Sequence, residues 1–284
     1  MLTYEIMLRI PRITWICAAL FCCSFISFGQ DVQLFTEDFE TGGQSFTLNS
    51  SGPTPNSGTN QWIVNNQYNG SSTFPNTTNQ NTTAGGTIGS APTSNYLHIH
   101  SSGSGVTNAN YDPNNASDNF AFMTFGLCTY GFSNVHISFF ELCQGTNNDY
   151  GSIWYSADGG PWIQIGTTYQ NSTVWQYQDI TNDGFSNVGS LQFGFKWHND
   201  GDGAAFNQSF GIDDINIVAD YDAVEPVTIN ITSVSPSPVC EGTFVTLSYE
   251  LSDTLCDGNY QIELSTAAGT FPSPFTTWVT PINY

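Results

Sequence analysis

Residues 210–218 read FGIDDINIV and determine the fold prediction. Apolar and polar residues alternate along this segment, which is the period of a β-strand with one buried face. Strict alternation puts Asp213 on the same face as Ile215 and Ile217, and Asp214 on the opposite face. A carboxylate in register with core aliphatic residues needs a hydrogen bond, a proton or a metal ion. The segment therefore predicts a closing strand with one unusual carboxylate.

Similar segments precede this strand throughout residues 31–222. They are rich in aromatic and β-branched residues, and clusters of Gly, Asn, Ser, Thr and Asp separate them, which favours an all-β domain. The clearest strands are residues 135–143, 151–156, 162–165, 191–197 and 210–218. Asp158-Gly159-Gly160 predicts a hairpin turn, because Gly and Asp tolerate positive φ angles. Residues 49–92 have few apolar side chains and predict a long surface excursion.

An acidic stretch at residues 37–40 (EDFE) opens the same domain. If the first and last strands are neighbours, its carboxylates meet those of the closing strand. Calcium suits such a site, because Ca²⁺ takes six to eight oxygen ligands in irregular geometry. The candidate ligands of a structural calcium ion are Asp38, Glu40 and Asp213, followed by Asp214 and Asp118. The alternative is that Asp213 caps backbone amides at a strand end.

The chain has 24 acidic and three basic residues, for a net charge of −21. Arg9 and Arg12 lie in the first 30 residues, so Lys196 is the only Lys or Arg of residues 31–284. Nucleic acid and anionic membrane surfaces are disfavoured as partners, because both require a basic patch. The acidity fits either a specific cation site or solubility in a salty extracellular medium.

Residues 1–30 predict a secretory signal peptide. Two arginines precede the apolar run 13–28, and small residues precede an expected cleavage near Gln30. No later stretch approaches the roughly 20 apolar residues of a transmembrane helix. We expect the mature chain to be secreted or at the cell surface. Cys22 and Cys23 raise the alternative of a lipoprotein anchor.

Four Cys residues follow the predicted signal peptide: Cys128, Cys143, Cys240 and Cys256. An even number in an exported chain predicts two disulfides. The sequence allows three pairings. We expect Cys128 with Cys143 and Cys240 with Cys256, because each bond then stays within one predicted domain. A zinc site is the alternative, although no pair has the C-x-x-C spacing.

Residues 223–284 predict a second, smaller β module with strands at 227–234, 243–251 and 260–265. A sandwich of the immunoglobulin type needs about 100 residues. We therefore expect this module to be incomplete and the chain to belong to a longer polypeptide.

Seven Trp, 13 Tyr and 21 Phe residues suit either a large core or a sugar-stacking platform. Trp62, Tyr68, Trp175 and Trp197 lie near predicted loops and are candidate glycan contacts, with core packing as the alternative. No nucleophile elbow, zinc-protease motif or phosphate-binding loop is present in the sequence. Glu141 is the only Glu in the interior strands of the first domain, so we do not expect an enzyme.

Two other polar groups have open interpretations. His98 and His100 would share one face of a strand, either as zinc ligands or as a surface pair. The acidic loop 199–203 is either a polar turn or a second calcium site.

Four motifs together resemble a known group of domains. They are FTEDFE at 35–40, YSADGGPW at 155–162, LQFGFKW at 191–197 and FGIDDINI at 210–217. About residues 33–218 are similar to the jelly-roll domains of secreted Bacteroidota surface proteins, in the group of MAM, reelin-subrepeat and cleaved-adhesin domains. Residues 234–251 (VSPSPVCEGTFVTLSYEL) resemble immunoglobulin-like repeats of large adhesins that are exported by the type IX route.

This resemblance implies two packed antiparallel sheets, a structural cation near the first and last strands, and adhesion or glycan binding without catalysis. We therefore expect a secreted, calcium-stabilised protein that binds a glycan, a matrix component or a surface protein. One alternative is a non-catalytic accessory domain of an exported peptidase or glycosidase. Another is a structural spacer without a ligand of its own.

Overall fold

The described residues of the computed structural model form thirteen β-strands and two short 3₁₀ turns. These residues are 31–68, 76–105, 107–145, 148–203, 209–221, 229–235, 246–252 and 256. The strands are β1 (Asp31–Glu37), β2 (Phe46–Ser50), β3 (Asn60–Asn65), β4 (Tyr96–Ser101), β5 (Ser117–Met123), β6 (Phe132–Cys143), β7 (Tyr150–Ala157), β8 (Ile163–Tyr169), β9 (Gln176–Thr181), β10 (Leu191–Asn199), β11 (Phe210–Tyr221), β12 (Ile229–Ser235) and β13 (Thr246–Leu251). The turns are Ser102–Ser104 and Asp183–Phe185.

Two antiparallel sheets form a jelly-roll β-sandwich. The six-stranded sheet has the order β3-β4-β11-β6-β9, and β1 also pairs with β11. The five-stranded sheet has the order β2-β5-β10-β7-β8. The predicted all-β, antiparallel fold is confirmed. The first strand also pairs with the closing one, which is the condition for their carboxylates to meet.

The second predicted module is represented by β12 and β13, which pair antiparallel. Residues Gly29–Cys256 form one compact unit that includes this hairpin. The predicted strand at 260–265 and the predicted signal peptide at 1–30 lie outside the described residues, and the division near residue 222 stays a prediction. Among the residues that are described, no helix is long and apolar enough to cross a membrane.

Large aromatic side chains fill the space between the two sheets, because each strand turns every second residue inward. Phe193, Phe195 and Trp197 of β10 are fully buried, and Ile137 and Phe139 of β6 face them from the other sheet. The rings of Phe139 and Phe195 meet edge to face with their centroids 5.2 Å apart. This geometry favours aromatic pairs beyond the area that they bury.

The segment 49–92 is more than the predicted surface excursion. It contains the edge strand β3, and its later part covers the outer face of the six-stranded sheet. A second buried apolar cluster forms there, from Ile88, Tyr96, Ala109, Phe140, Leu142 and Trp175. The six-stranded sheet therefore packs on both faces.

The hairpin turn predicted at residues 158–160 is confirmed. Asp158 and Gly159 have φ angles of 52° and 68°, and the N–H of Gly160 donates to the carbonyl of Ala157 at 2.9 Å. Oδ1 of Asp158 also accepts from the N–H of Gly189 at 2.8 Å, which ties the turn to the segment before β10.

The expected cysteine pairing is wrong. Cys128 bonds to Cys256, with Cα atoms 5.3 Å apart, and Cys143 is a buried free thiol. Cys143 ends β6, whose 12 residues hold its two ends roughly 36 Å apart at ~3.3 Å per residue. A disulfide needs Cα atoms within about 7 Å. The prediction failed because it paired cysteines that are close in sequence. The predicted partner of Cys256, Cys240, lies outside the described residues.

Replacing both Cys128 and Cys256 by Ser is expected to lower the free energy of unfolding by about 2–5 kcal/mol. The reason is that the bond joins residues 128 positions apart, and its loss frees the unfolded chain. Guanidinium unfolding curves measure this change. Cys143→Ala is the control, with a smaller loss from its cavity. An unchanged midpoint in the double variant would contradict the bond.

Candidate cation site and aromatic face

The carboxylates at the two ends of the domain meet where β11 changes its pairing partner. Residues 211–212 pair with β4, whereas residues from Ile215 onward pair with β1. Asp213 and Asp214 fall between these two pairings. On the other side of β11, the register with β6 shifts just after Asp213. We call Asp38, Glu40, Asp213 and Asp214 the acidic cluster.

The expectation that Asp213 shares a face with Ile215 and Ile217 is wrong. Asp214 has a φ of 46°, and the irregular register here marks a β-bulge, in which an extra residue interrupts the alternation. Ile212 and Ile215 therefore both pack in the sandwich core. Asp213 is turned away from that core, toward the segment that covers the six-stranded sheet.

Asp213 is fully buried in this position. Its Oδ1 accepts the N–H of Asp214 at 2.9 Å, whereas its Oδ2 has no hydrogen-bond partner within bonding distance among the described residues. The hydroxyl of Ser94 is near enough to the carboxyl to lower its pKa, but less than burial raises it. Burial, and then the charge of Asp214, raise the pKa of Asp213 to about 9. Burial raises the pKa of Tyr68 and of Tyr96, and the nearby carboxylate of Asp213 raises both further.

The other members of the cluster hold neighbouring segments in place. Oδ2 of Asp214 accepts the N–H of Gly89 at 2.6 Å, and Oε1 of Glu40 accepts the N–H of Asn95 at 2.8 Å. Asp38 and Asp214 line one surface cleft of about 440 Å³. Burial, and then the charges of Asp38 and Glu40, raise the pKa of Asp214. Four carboxylates therefore gather here, as the sequence predicts.

Asp118 does not belong to this cluster, so its prediction as a ligand is wrong. It lies on β5 of the five-stranded sheet. Its Oδ1 is 2.7 Å from Nζ of Lys196 and 3.0 Å from Nδ1 of His198. Its charge is already balanced, and Lys196 is held away from the acidic cluster.

The acidic cluster fits a divalent cation in part. Across the described residues, no three His, Cys, Asp or Glu side chains stand close enough together to hold a metal ion by themselves. Ca²⁺ also binds carbonyl, amide and water oxygens, so carboxylates need not supply every ligand. The buried, unpaired Oδ2 of Asp213 is the feature that fits, because a buried carboxylate oxygen without a partner is unfavourable.

The acidic loop 199–203 is held by hydrogen bonds as a polar turn. Both oxygens of the buried Asp149 beside it are engaged, by Nδ2 of Asn199 at 2.9 Å and by the hydroxyl of Tyr111 at 2.6 Å. The carboxylate of Asp200 is hydrogen-bonded as well. These contacts favour the turn over a second calcium site.

His98 is fully buried under the excursion and is not part of a surface pair. Its Nε2 lies 2.8 Å from Oδ1 of Asn65. Burial lowers the pKa of His98 to about 3, so its imidazole is neutral.

The prediction that four aromatic residues contact a glycan is wrong for the three tryptophans. Trp62 is 2% exposed, and Trp175 and Trp197 are 0% exposed. Tyr68 is half-buried, stacks on Tyr96 at 5.0 Å and donates its hydroxyl to a backbone carbonyl. The three tryptophan rings pack inside the protein, because residues near predicted loops can still face the interior. Tyr68 as a glycan contact stays a prediction.

The half-exposed aromatic side chains lie instead on the outer side of the five-stranded sheet. We define the aromatic face as the partly exposed Phe122, Tyr150, Trp154 and Trp162, together with Phe120, which is 2% exposed and packs against Trp162. Trp154, Gly194 and Phe122 form one row across β7, β10 and β5. The ring of Phe120 lies over Gly194, where a Cβ would be only 2.3 Å away.

Trp162 reaches this face from the turn between β7 and β8. Its ring meets Phe120 at 4.7 Å and Phe122 at 5.6 Å, both edge to face. The sequence analysis did not identify the aromatic face. Alternation could have found Trp154, because Ile153 and Tyr155 on either side of it are buried.

Hydrogen-bonding groups surround the aromatic face. Nε1 of Trp154 donates to Oγ of Ser152 at 2.9 Å, and the ring of His198 lies 5.1 Å from that of Tyr150. Gln192 is half-exposed on the same side of β10. Aromatic rings beside polar groups can hold a ligand that has both an apolar surface and hydroxyl groups.

Glu141 gives no sign of an acid–base pair. It is 2% exposed on the inner side of β6, and not at a sheet edge. Its Oε1 accepts from Nε2 of Gln178 at 3.1 Å, while Oε2 has no partner among the described residues. Burial raises the pKa of Glu141 to about 8, so the carboxyl is protonated at neutral pH.

Glu141→Gln is expected to weaken the dependence of stability on pH. The folded pKa of about 8 exceeds the ordinary 4.5, so the folded protein keeps a proton that the unfolded chain releases. The resulting stabilisation is complete below about pH 4.5 and is lost as pH rises through the folded value. Urea unfolding from acidic to mildly alkaline pH should show a decline in stability, to which the raised pKa of Asp213 also contributes. Glu141→Gln should make this decline smaller by about 2 kcal/mol or more.

The exposed Asp31 supplies a control for this experiment. Asp31→Asn also removes one carboxylate and should keep the wild-type decline. The same decline in Glu141→Gln and in the wild type would show that Glu141 is not protonated in the folded state.

The sequence matches no protein-family model and no curated protein sequence. Solved structures are distantly similar. A cleaved adhesin domain of Lys-gingipain from Porphyromonas gingivalis has 13% identity and a TM-score of 0.36, over 66% of this chain and 98% of that one. The module TmCBM61, solved with β-1,4-galactotriose, has 12% identity and a TM-score of 0.36, over 63% and 92%.

The mannan-recognising module TmCBM27 has 8% identity and a TM-score of 0.34, over 67% of this chain and 98% of that one. Likeness at these values says nothing about the ligand of this protein. Its function is inferred below from its own side chains.

Proposed function

We propose that this protein is a non-catalytic, calcium-stabilised binding module that acts outside the cell and binds a glycan on its aromatic face. The main support is that the outer faces of the two sheets are covered differently. The outer side of the six-stranded sheet is covered by a second apolar cluster. The five-stranded sheet instead presents half-exposed Phe122, Trp154 and Trp162.

Half-exposed aromatic rings are unfavourable in water and useful in binding. Trp162 packs on Phe120 and Phe122 with one edge and leaves part of its surface exposed. Such rings supply a large rigid contact area at little entropic cost, which is why they dominate binding hot spots. Sugars suit this face, because their C–H surfaces stack on rings while their hydroxyls reach the neighbouring polar groups.

The calcium part of the proposal depends on Asp213. A fully buried carboxylate whose second oxygen lacks a partner must hold a proton or meet a cation. Asp213, Asp214, Glu40 and Asp38 would hold the ion together with backbone and water oxygens. The bound ion would relieve the repulsion among these carboxylates and join β11 to the end of β1.

Calcium is expected to raise the melting temperature of the protein. An ion that binds only the folded state, at about 100 times its Kd, adds about 2.7 kcal/mol, which is roughly 5–10 °C for a domain of this size. Differential scanning calorimetry with calcium and with a chelator measures the shift. Asp213→Asn should lose most of it, whereas Asp31→Asn should keep it. If neither calcium nor the chelator moves the wild-type melting temperature, no structural calcium binds.

Glycan binding is expected to depend on Trp154. A glycan array with the purified chain should give positive signals, and Trp154→Ala should weaken the best of them about tenfold or more. Tyr221→Ala is the matched control, because Tyr221 is 55% exposed and lies outside the aromatic face. Silence across the array with folded wild-type protein would contradict the proposal and favour a structural spacer.

A further inference from the structure

The aromatic face carries one positive charge, and a neighbour cancels it. Lys196 is the only Lys or Arg of residues 31–284. It lies on β10 with a side chain only 10% exposed, and its Nζ is 2.7 Å from Oδ1 of Asp118. Nδ1 of His198 lies 3.0 Å from the same oxygen. The lysine is therefore held within the face, with its charge directed at a carboxylate.

This pair lies directly beside the rings of the aromatic face. Lys196 is the cross-strand neighbour of Phe120 on one side and of Ser152 on the other. Asp118 is on the same side of β5 as Phe120, two positions away. A ligand stacked on these rings comes close to both charged groups.

Among the described residues, an anionic ligand would find no unpaired Lys or Arg side chain at the aromatic face. The net charge of −21 gives the protein a field that repels anions, and the carboxylate of Asp118 adds a local negative charge. A sugar carboxylate or sulfate would lose hydration at the face without gaining a new ion pair. The available charge therefore disfavours acidic glycans.

Neutral sugars, in contrast, can form hydrogen bonds to the Asp118–Lys196 pair. A hydroxyl group both donates and accepts hydrogen bonds, and the pair offers a carboxylate acceptor next to an ammonium donor. Bonds to charged partners are stronger than neutral ones, so the pair can contribute to affinity without a net charge on the ligand.

We infer that the ligand of the aromatic face is a neutral polysaccharide, and that the Asp118–Lys196 pair excludes acidic ones. This inference rests on the proposed function, because it names the class of glycan for the same face. Asp118 and Lys196 are then residues that determine specificity, while the aromatic rings provide the contact area.

The test compares neutral polysaccharides (galactan, mannan, xylan and β-glucan) with polygalacturonate and chondroitin sulfate. Affinity electrophoresis at low salt should show wild-type protein binding at least one neutral polymer and binding the acidic ones at least about tenfold more weakly. Wild-type protein that binds an acidic polymer as tightly as the best neutral one overturns the inference and leaves the proposed function intact. Wild-type protein that binds no polymer in either set overturns both.

Asp118→Asn tests the role of the pair directly. The variant releases the charge of Lys196 and should gain affinity for polygalacturonate by on the order of tenfold. High salt should screen this gain. The double variant Asp118→Asn/Lys196→Gln is the matched control, since it removes both charges and should show no gain.

Either variant is read only if it keeps the wild-type circular dichroism spectrum. A folded Asp118→Asn protein with no gain for polygalacturonate shows that the pair does not exclude acidic ligands. If Asp118→Asn fails to fold, Asp118→Ser takes its place, because it also leaves the charge of Lys196 without a carboxylate partner. A folded Asp118→Ser protein with no gain for polygalacturonate overturns the role of the pair.

Discussion

The change of pairing partner along β11 is the constraint on which the rest of the structure depends. One edge of β11 serves β4 first and β1 afterwards, while its other edge stays with β6. The chain therefore closes its first and last strands together, and a bulge at Asp213 and Asp214 fills the junction. Asp38 and Glu40 lie close enough to these two residues for their charges to raise the pKa of Asp214, so carboxyl groups from both ends of the domain meet at this junction.

The two sheets differ in what covers their outer faces. The six-stranded sheet is covered outside as well as inside, and the segment that covers it is held by Asp214 through Gly89 and by Glu40 through Asn95. The five-stranded sheet is left to present rings and polar groups. Its charges are balanced locally by Asp118 and Lys196. In the proposed function, the acidic cluster would stabilise the fold and the opposite face would bind the ligand.

The sequence predicted the parts that depend on local pattern. The residue pattern located five of the eleven sandwich strands (β6, β7, β8, β10 and β11), and the Asp158 turn followed from the residue types that accept positive φ. The meeting of Asp38, Glu40, Asp213 and Asp214 was also foreseen, because it needed only the pairing of the first and last strands. Errors arose where distant segments decide the surroundings: Asp118 lies on the other sheet, and Trp62, Trp175 and Trp197 are covered.

The sequence by itself determined that this protein is an antiparallel β-sandwich with almost no positive charge and with carboxylates at the joint of its first and last strands. Those properties follow from alternation and composition, which are local. Tertiary structure decided that Cys128 bonds to Cys256, that Asp213 turns away from the core, and that Trp154 and Phe122 share an open face. These outcomes depend on a bulge and on which segment covers which sheet, and neither leaves a periodic signal in the chain.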